Sequence, residues 1–342
     1  MNAMEGTAEA LATTLRRLII GYRLSQAIAV AAEFGIADLL KDGPRSAEDL
    51  ARRTGVHAPS LYRVLRLLAS EGLLTEAEGG RFHLLPLGQQ LRSDVPGSLY
   101  HRAIFDGAAA NWRAWGELRH SVKTGEPSFN HIWQAGLYDY VKQNAELAVS
   151  FNGFIAAQTM AVGRAVLDAY DFSGIETLVD VGGGYGALIA SVLSAHPAMR
   201  GILFDLPHVA AEAQSRLAAA GLAARCIAIG GSFFEAVPEG GEAYALKFVM
   251  HNWDDERCRK ILALCRRVMP ARGRLLIIEA ILRPGNEADY GKYMDLMMLV
   301  ATEGGRERTV AEYGVLLDAT GFRLTRVVPT ASDVCVIEGL PC

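Results

Sequence analysis

Between Thr177 and Glu338, short and almost wholly apolar runs alternate with stretches of helical spacing. The runs are Thr177–Val181, Gly201–Asp205, Arg225–Ile229, Ala243–Val249, Arg274–Leu282, Phe322–Pro329 and Asp333–Glu338. A strand with no polar face must be covered on both sides, which places such runs inside a largely parallel sheet. Between them, Cys258, Ile261, Leu262, Cys265, Val268 and Met269 mark one apolar helix face. Strand alternating with helix predicts a doubly wound α/β sheet. Ahead of about Gly174 the chain reads as helical. We therefore draw one boundary, between a mostly helical domain over residues 1–170 and an α/β domain over residues 171–342.

In the helical part, Ala8–Val30 carries Leu11, Leu15, Leu18, Ile19 and Tyr22 at helical spacing with few charges. A helix so apolar near a chain end needs cover, from a second subunit or from its own domain. Pro44–Leu91 has a different pattern. Ser46 is placed to cap a helix that ends at Gly55, with Asp49 three residues into it. Pro59 opens a second helix closed by Gly72, and Leu73–Leu85 folds about Gly79-Gly80 as a hairpin. Helix, turn, helix and two-stranded wing is a winged-helix arrangement. From Pro44 to Gln90 there are six arginines against five acids, so its second helix, with Arg63 and Arg66, offers little to a phosphate backbone. A structural or dimerisation role fits better than DNA contact. The whole chain has 34 basic and 38 acidic residues, which points the same way.

Five cysteines without CxxC spacing argue against a disulfide framework and a zinc cluster, and so for a reduced, cytoplasmic setting. No apolar run reaches the ~18 residues of a membrane helix. The opening Met-Asn-Ala-Met-Glu-Gly lacks the basic start and apolar core of a signal peptide.

The run Leu178-Val179-Asp180-Val181-Gly182-Gly183-Gly184-Tyr185-Gly186 leaves a strand and enters a helix. Its glycines allow a tight turn and close approach of a ligand to the backbone. Gly182, Gly184 and Ala187 also satisfy the dinucleotide pattern GxGxxA, and Asp205, about 20 residues on, suits ribose hydroxyls in either case. Asp180 helps to separate the two. A carboxylate beneath the loop repels a pyrophosphate but suits a ligand with a cationic amino group, such as S-adenosylmethionine (SAM).

Six ordered motifs then carry a resemblance: LVDVGGGYG, FDLPHV (Phe204–Val209), GGSFFEAVP (Gly230–Pro238), ALKFVMHNWDDERCRKIL (Ala245–Leu262), LLIIEAIL (Leu275–Leu282) and GGRERT (Gly304–Thr309). Together they resemble the SAM-dependent O-methyltransferases of the caffeic-acid and bacterial small-molecule type. AAEFGIADLL (Ala31–Leu40), the winged helix and TGEPSFN (Thr124–Asn130) resemble that family's dimerisation domain. The resemblance implies a Rossmann-like methyltransferase domain and a homodimer formed through the helical domain, with SAM as methyl donor and no metal. It places Gly182, Gly184 and Gly186 around the methionine part of SAM, Asp205 on the ribose, Ser232 and Phe233 around the adenine, and Lys247 beside the cofactor. Ser232 stands where Asp is usual, which weakens the acceptor for the adenine amino group. Asn252 stands where Asp commonly follows the histidine, which removes a nearby negative charge.

His251 falls just after the Ala243–Val249 run, at the sheet edge where open α/β folds bind ligands. Glu279 ends the following run, and Glu307 lies in GGRERT. The resemblance assigns His251 as general base, oriented by Glu279 and Glu307. Met294, Met297 and Met298 share a helix face at i, i+3 and i+4. With Phe151, Phe154 and Trp112 of the helical domain they are candidate walls for a flat aromatic acceptor. Two other readings stand beside methyl transfer: another SAM-dependent reaction on the same fold (hydroxylation, decarboxylation or a pericyclic step) and a winged-helix regulator that senses a small molecule.

Overall fold

The structure is a computed structural model that describes residues 7–342, so the hexapeptide read for a leader lies outside the described residues. The chain divides into two compact units. One comprises residues up to Gly116 together with Tyr138–Gln158, the other Glu117–Leu137 together with Thr159–Cys342. The division crosses the chain three times, where composition marks one boundary near residue 170. Helical spacing shows that a segment is a helix but not which unit it joins; the helix Ala145–Ala169 runs unbroken through the last crossing.

In the first unit, the single helix expected over Ala8–Val30 is two helices, Ala8–Ile19 and Tyr22–Glu33. The break falls at Ile20-Gly21, where the Gly21 amide tightens onto the Leu18 carbonyl at 3.2 Å. Glycine is a poor helix former, so a helix most readily ends there. The winged helix forms as read. Strand β1 (Arg45–Ser46) leads into the helix Ala47–Thr54, where the Ser46 hydroxyl accepts from the Asp49 amide at 3.2 Å. Gly55 ends that helix in the left-handed conformation, and Pro59 lies in the first turn of Ala58–Ser70. Strands β2 (Leu74–Ala77) and β3 (Arg81–Leu84) make the wing, and β1 adds to it in the order β1-β3-β2. Leu50, Leu61, Leu65, Leu68 and Phe82 fill the core beneath.

The second unit holds β4 (Thr177–Val181), β5 (Arg200–Asp205), β6 (Cys226–Gly230), β7 (Ala243–Lys247), β8 (Arg274–Glu279), β9 (Phe322–Pro329) and β10 (Cys335–Pro341). Their order is β6-β5-β4-β7-β8-β10-β9, with β10 antiparallel to both β8 and β9 and the remaining pairs parallel. Adjacent residues along a strand point to opposite faces. Leu178, Leu276 and Ile278 accordingly join Ile189 and Val192 on one side, while Val179, Leu275 and Ile277 join Ile261, Leu262 and Leu316 on the other. Both faces are sealed, as the unbroken apolar runs require. The carboxyl ends of β4, β5, β7 and β8 share one edge, which carries the glycine loop, Asp205, His251 and Glu279. Among the described residues no helix is long and apolar enough to cross a membrane, and all five cysteines are free thiols.

The helix Ala8–Ile19 buries none of its residues: Leu18 is 74% and Ile19 66% exposed. An apolar stripe of this kind is an association surface. Replacing Leu18 with Glu is expected to reduce the mass seen by light scattering toward that of one chain; a mass equal to wild type would separate this stripe from subunit contact.

Candidate active site

Beyond Val181 the chain turns through Gly182 and Gly184, and Gly186 begins the helix Ala187–Ala195, all three with positive φ. A Cβ on Gly182 would lie 2.8 Å from Val249 and 3.4 Å from Phe233, so the loop runs closely beneath both side chains. Asp205 braces the loop: one carboxylate oxygen accepts from the Gly184 amide at 2.8 Å and the other from Leu206 at 2.7 Å. Asp180 is buried below the glycines, and its Oδ2 has no hydrogen-bond partner. Burial pushes its pKa up to about 7, against the opposing pull of Lys247. A sealed carboxylate lacking a donor fits a cationic group at this edge. Ser232 lies in the same region, but its hydroxyl accepts from the Phe234 amide at 3.3 Å and so serves its own turn. Lys247 donates to the Thr159 hydroxyl at 3.1 Å and holds its ammonium 4.7 Å from the Phe248 ring.

The strand expected to reach Val249 stops at Lys247 because Phe248 adopts φ +54°. For a bulky side chain this conformation costs about 1–3 kcal/mol, so the surroundings must hold it. The Phe248 amide donates to the Ile278 carbonyl at 3.1 Å, and its own carbonyl accepts from Asn252 Nδ2 at 2.9 Å. The turn that follows is a 3₁₀ helix, Met250–Asn252, which presents His251. The imidazole stacks on Phe248, centroids 5.4 Å apart and planes 22° from parallel.

Three side chains converge here from distant parts of the chain, all buried. His251 Nδ1 lies 2.8 Å from Glu307 Oε1 and 3.5 Å from Glu279 Oε2. The other Glu279 oxygen, Oε1, accepts from the Met250 amide at 2.9 Å and the His251 amide at 3.4 Å. Glu307 thus addresses the ring and Glu279 chiefly the backbone that carries it. Nδ1 and one oxygen of each glutamate lie within 4.8 Å of one another, a spacing that an ion could bridge. Such an ion would have to displace the Nδ1–Glu307 hydrogen bond. Around the trio, the wholly buried Arg308 donates to the carbonyls of Met250 and Trp253 and pairs with Asp255 at 2.8 Å. Asp295 accepts from the Glu307 amide at 2.9 Å. Gly305 lets this segment in: a Cβ there would stand 2.6 Å from the His251 carbonyl.

The electrostatics follow from this burial. Desolvation raises Glu279 to about 7 and Glu307 to about 8, the latter helped by Asp295. Desolvation lowers His251, and Lys247 and Arg308 add to that, while Glu279 and the Phe248 carbonyl oppose it. The ring is therefore neutral at neutral pH and faces carboxyl groups that respond when it gains a charge.

Of the candidate walls, Met294 and Met298 are buried one turn apart in the helix Tyr290–Ala301, and Met297 is half-buried. In the first unit, Phe151 and Phe154 stand 5.2 and 5.8 Å from Phe105, and Trp112 stands 6.4 Å from Tyr22. Sequence reasoning missed Arg308, Asp295, Thr159 and the backbone of Phe248. Arg308 had a signal, a second arginine in GGRERT opposite the acidic pair of HNWDD. A left-handed phenylalanine has none.

Comparison with known proteins adds a family to this geometry. The O-methyltransferase domain family matches residues 115–323, and the O-methyltransferase dimerisation domain family matches residues 16–94. The phenazine O-methyltransferase PhzM of Lysobacter antibioticus is 46% identical over 331 residues, covering 97% of this chain and 96% of that protein. The crystal structure of CalO1, a methyltransferase in calicheamicin biosynthesis in its SAH-bound form, superposes with TM-score 0.89 at 37% identity, covering 99% of this chain and 100% of that one. NcsB1, an O-methyltransferase from neocarzinostatin biosynthesis in complex with SAM and 2-hydroxy-5-methyl naphthoic acid, gives TM-score 0.78 at 32% identity, covering 93% and 96%.

The raised carboxyl pKa values make stability depend on pH. A carboxyl that holds its proton more tightly when folded stabilises the fold at low pH, and that stabilisation is lost as pH rises through about 7 to 8. Glu307→Gln keeps the shape without the ionisation. Its Tm is expected to fall less than that of wild type between about pH 6 and about pH 9, by roughly 2–4 °C for each kcal/mol removed. Parallel Tm curves in calorimetry would contradict this account of Glu307.

Proposed function

Because the chain belongs to the family of SAM-dependent O-methyltransferases, we propose that it methylates a phenolic hydroxyl of a small aromatic secondary metabolite, with His251 as general base. The supporting observation is the buried imidazole, its neutral form favoured by desolvation, whose Nδ1 meets Glu307 at 2.8 Å on the sheet edge that also carries the glycine loop. An aromatic acceptor accords with the phenazine named for one relative and the naphthoic acid bound to another.

The residues at that edge fit SAM. In the loop of Gly182, Gly184 and Gly186 the backbone is open at Gly184, Asp205 is braced to receive ribose hydroxyls, and the unpartnered Asp180 oxygen matches a cationic amino acid end. Phe233 and Ser232 complete the set for the adenine side, and Lys247 stands beside the cofactor. When bound, SAM supplies a methyl carbon attached to a positively charged sulfur.

The protein's own part is proton handling and positioning. With Nδ1–H donated to Glu307, the ring's free lone pair lies on Nε2, the atom that accepts the phenolic proton. A phenol near pKa ~10 and an imidazole near ~6.5 are mismatched by roughly 5 kcal/mol. Methyl transfer from a sulfonium is downhill enough to draw such a deprotonation along. Glu307 and Glu279 offset the charge that forms on the ring, and they do so strongly because water is excluded. The remainder is alignment of oxygen, methyl and sulfur. The association helix and the dimerisation family match support a homodimer. The relatives carry methyltransferase names, which favours methyl transfer over other SAM chemistry and over a DNA-binding regulator.

Incubation with SAM and a panel of phenolic metabolites is expected to yield S-adenosylhomocysteine in proportion to a product one methyl group heavier, read by mass spectrometry. In the same assay His251→Gln should lower turnover by about 10²–10⁴-fold, with S-adenosylhomocysteine binding by calorimetry nearly unchanged. Undiminished turnover would remove His251 from the mechanism. Asp205→Ala should do the reverse and weaken calorimetric binding roughly tenfold or more, as a lost charge-assisted hydrogen bond would.

A further inference from the structure

Phe248 is a bulky residue with φ +54°, three positions before the base, and its ring lies on the imidazole. Three contacts surround it. Its amide is held by the Ile278 carbonyl of β8 at 3.1 Å, its ring lies under the Lys247 ammonium at 4.7 Å, and its carbonyl receives Asn252 Nδ2 at 2.9 Å. The last is the only one of the three in which a side chain holds the Phe248 backbone. It is also unambiguous chemically: two carbonyl oxygens cannot bond each other, so the amide nitrogen of Asn252 must face Phe248. An ionised aspartate, which only accepts, could not make this contact.

We propose that Asn252 is a positioning residue: by donating to the Phe248 carbonyl it holds Phe248 in its left-handed conformation and thereby sets the plane in which the Phe248 ring supports His251. The inference rests on His251 acting as the base. It gives a purpose to the asparagine that follows the histidine, where an aspartate is usual. The same hydrogen bond affects the ring's acidity. The Phe248 carbonyl also lies against His251 and favours its protonated form; occupied by Asn252, it does so less. Glu279 from β8 and Glu307 from the GGRERT segment face the ring as carboxyl groups, Lys247 from β7 and Arg308 as cations, while the Asn252 amide is directed to the Phe248 carbonyl.

Asn252→Leu keeps the approximate volume and removes the donor without adding charge. With the panel's best phenolic acceptor, kcat is expected to fall roughly tenfold or more, with KM for SAM within about twofold of wild type. The acid limb of kcat/KM should move to higher pH. The decisive measurement is a cycle with Phe248→Gly, since glycine adopts positive φ without needing a clamp. In that background Asn252→Leu should change kcat by less than about twofold. Equal losses in both backgrounds would show that Asn252 does not act through Phe248, and wild-type kcat with an unmoved profile would overturn the proposal outright. If the leucine variant does not fold, Asn252→Asp replaces it and the kcat cycle is read in the same way. Independently of any acceptor, the titration of the His251 imidazole by NMR, assigned through its loss in His251→Gln, should shift upward in Asn252→Leu; an unchanged midpoint counts against the proposal. A His251→Gln enzyme that retains turnover would instead remove the underlying assignment of the base.

Discussion

Two carboxyl groups and one imidazole occupy a space closed to water, and the rest of the second unit serves to keep them there. Alone, each of these groups would resist burial; together they are tolerable because a charge on one is answered by its neighbours. The arrangement is assembled from three strand-end or loop segments, at 251, 279 and 307, that only the folded sheet brings together. Arg308 fastens it from behind through carbonyls on either side of His251, with Asp255 balancing the guanidinium. The imidazole is therefore held in place, so that any charge it gained would meet groups already positioned around it.

Much of this was legible in the residues. The seven apolar runs correspond to the seven strands of the large sheet, because a strand covered on both faces has no polar position to blur its limits. Where the ends differ, local geometry is responsible. β7 stops short because Phe248 leaves the extended region, and β10 begins at Cys335 because Thr330 and Ser332 bond each other and close a turn first. Glu307 was joined to His251 and Glu279 by the family resemblance, and that those two share one sheet edge was readable from the strand ends. The division of labour between the glutamates was not: which oxygen reaches the ring and which reaches the backbone depends on side-chain torsions that spacing does not encode.

The helical part shows a different limit. Capping by Ser46 and termination by Gly55 and Gly72 are local events with local signatures, and the winged helix was accordingly readable. The break at Gly21 and the assignment of Glu117–Leu137 to the second unit depend on what each segment packs against. The same reasoning explains the helix Ala8–Ile19, whose apolar side chains have nothing in their own unit to cover them. A composition that suits burial, on a helix that buries nothing, marks a surface completed by another molecule.

The helix Tyr290–Ala301 performs two duties at once. Its methionines Met294 and Met298 are buried in the protein, while Asp295 between them anchors the Glu307 amide and helps push the pKa of that carboxyl up. Were these methionines to wall an acceptor, as their spacing suggests, a substitution that rotated or slid this helix to accommodate a differently shaped ring would also shift a carboxyl partner of the imidazole. Acceptor preference and proton affinity would then be mechanically geared, and divergence toward a new phenol would be expected to carry a change in working pH along with it.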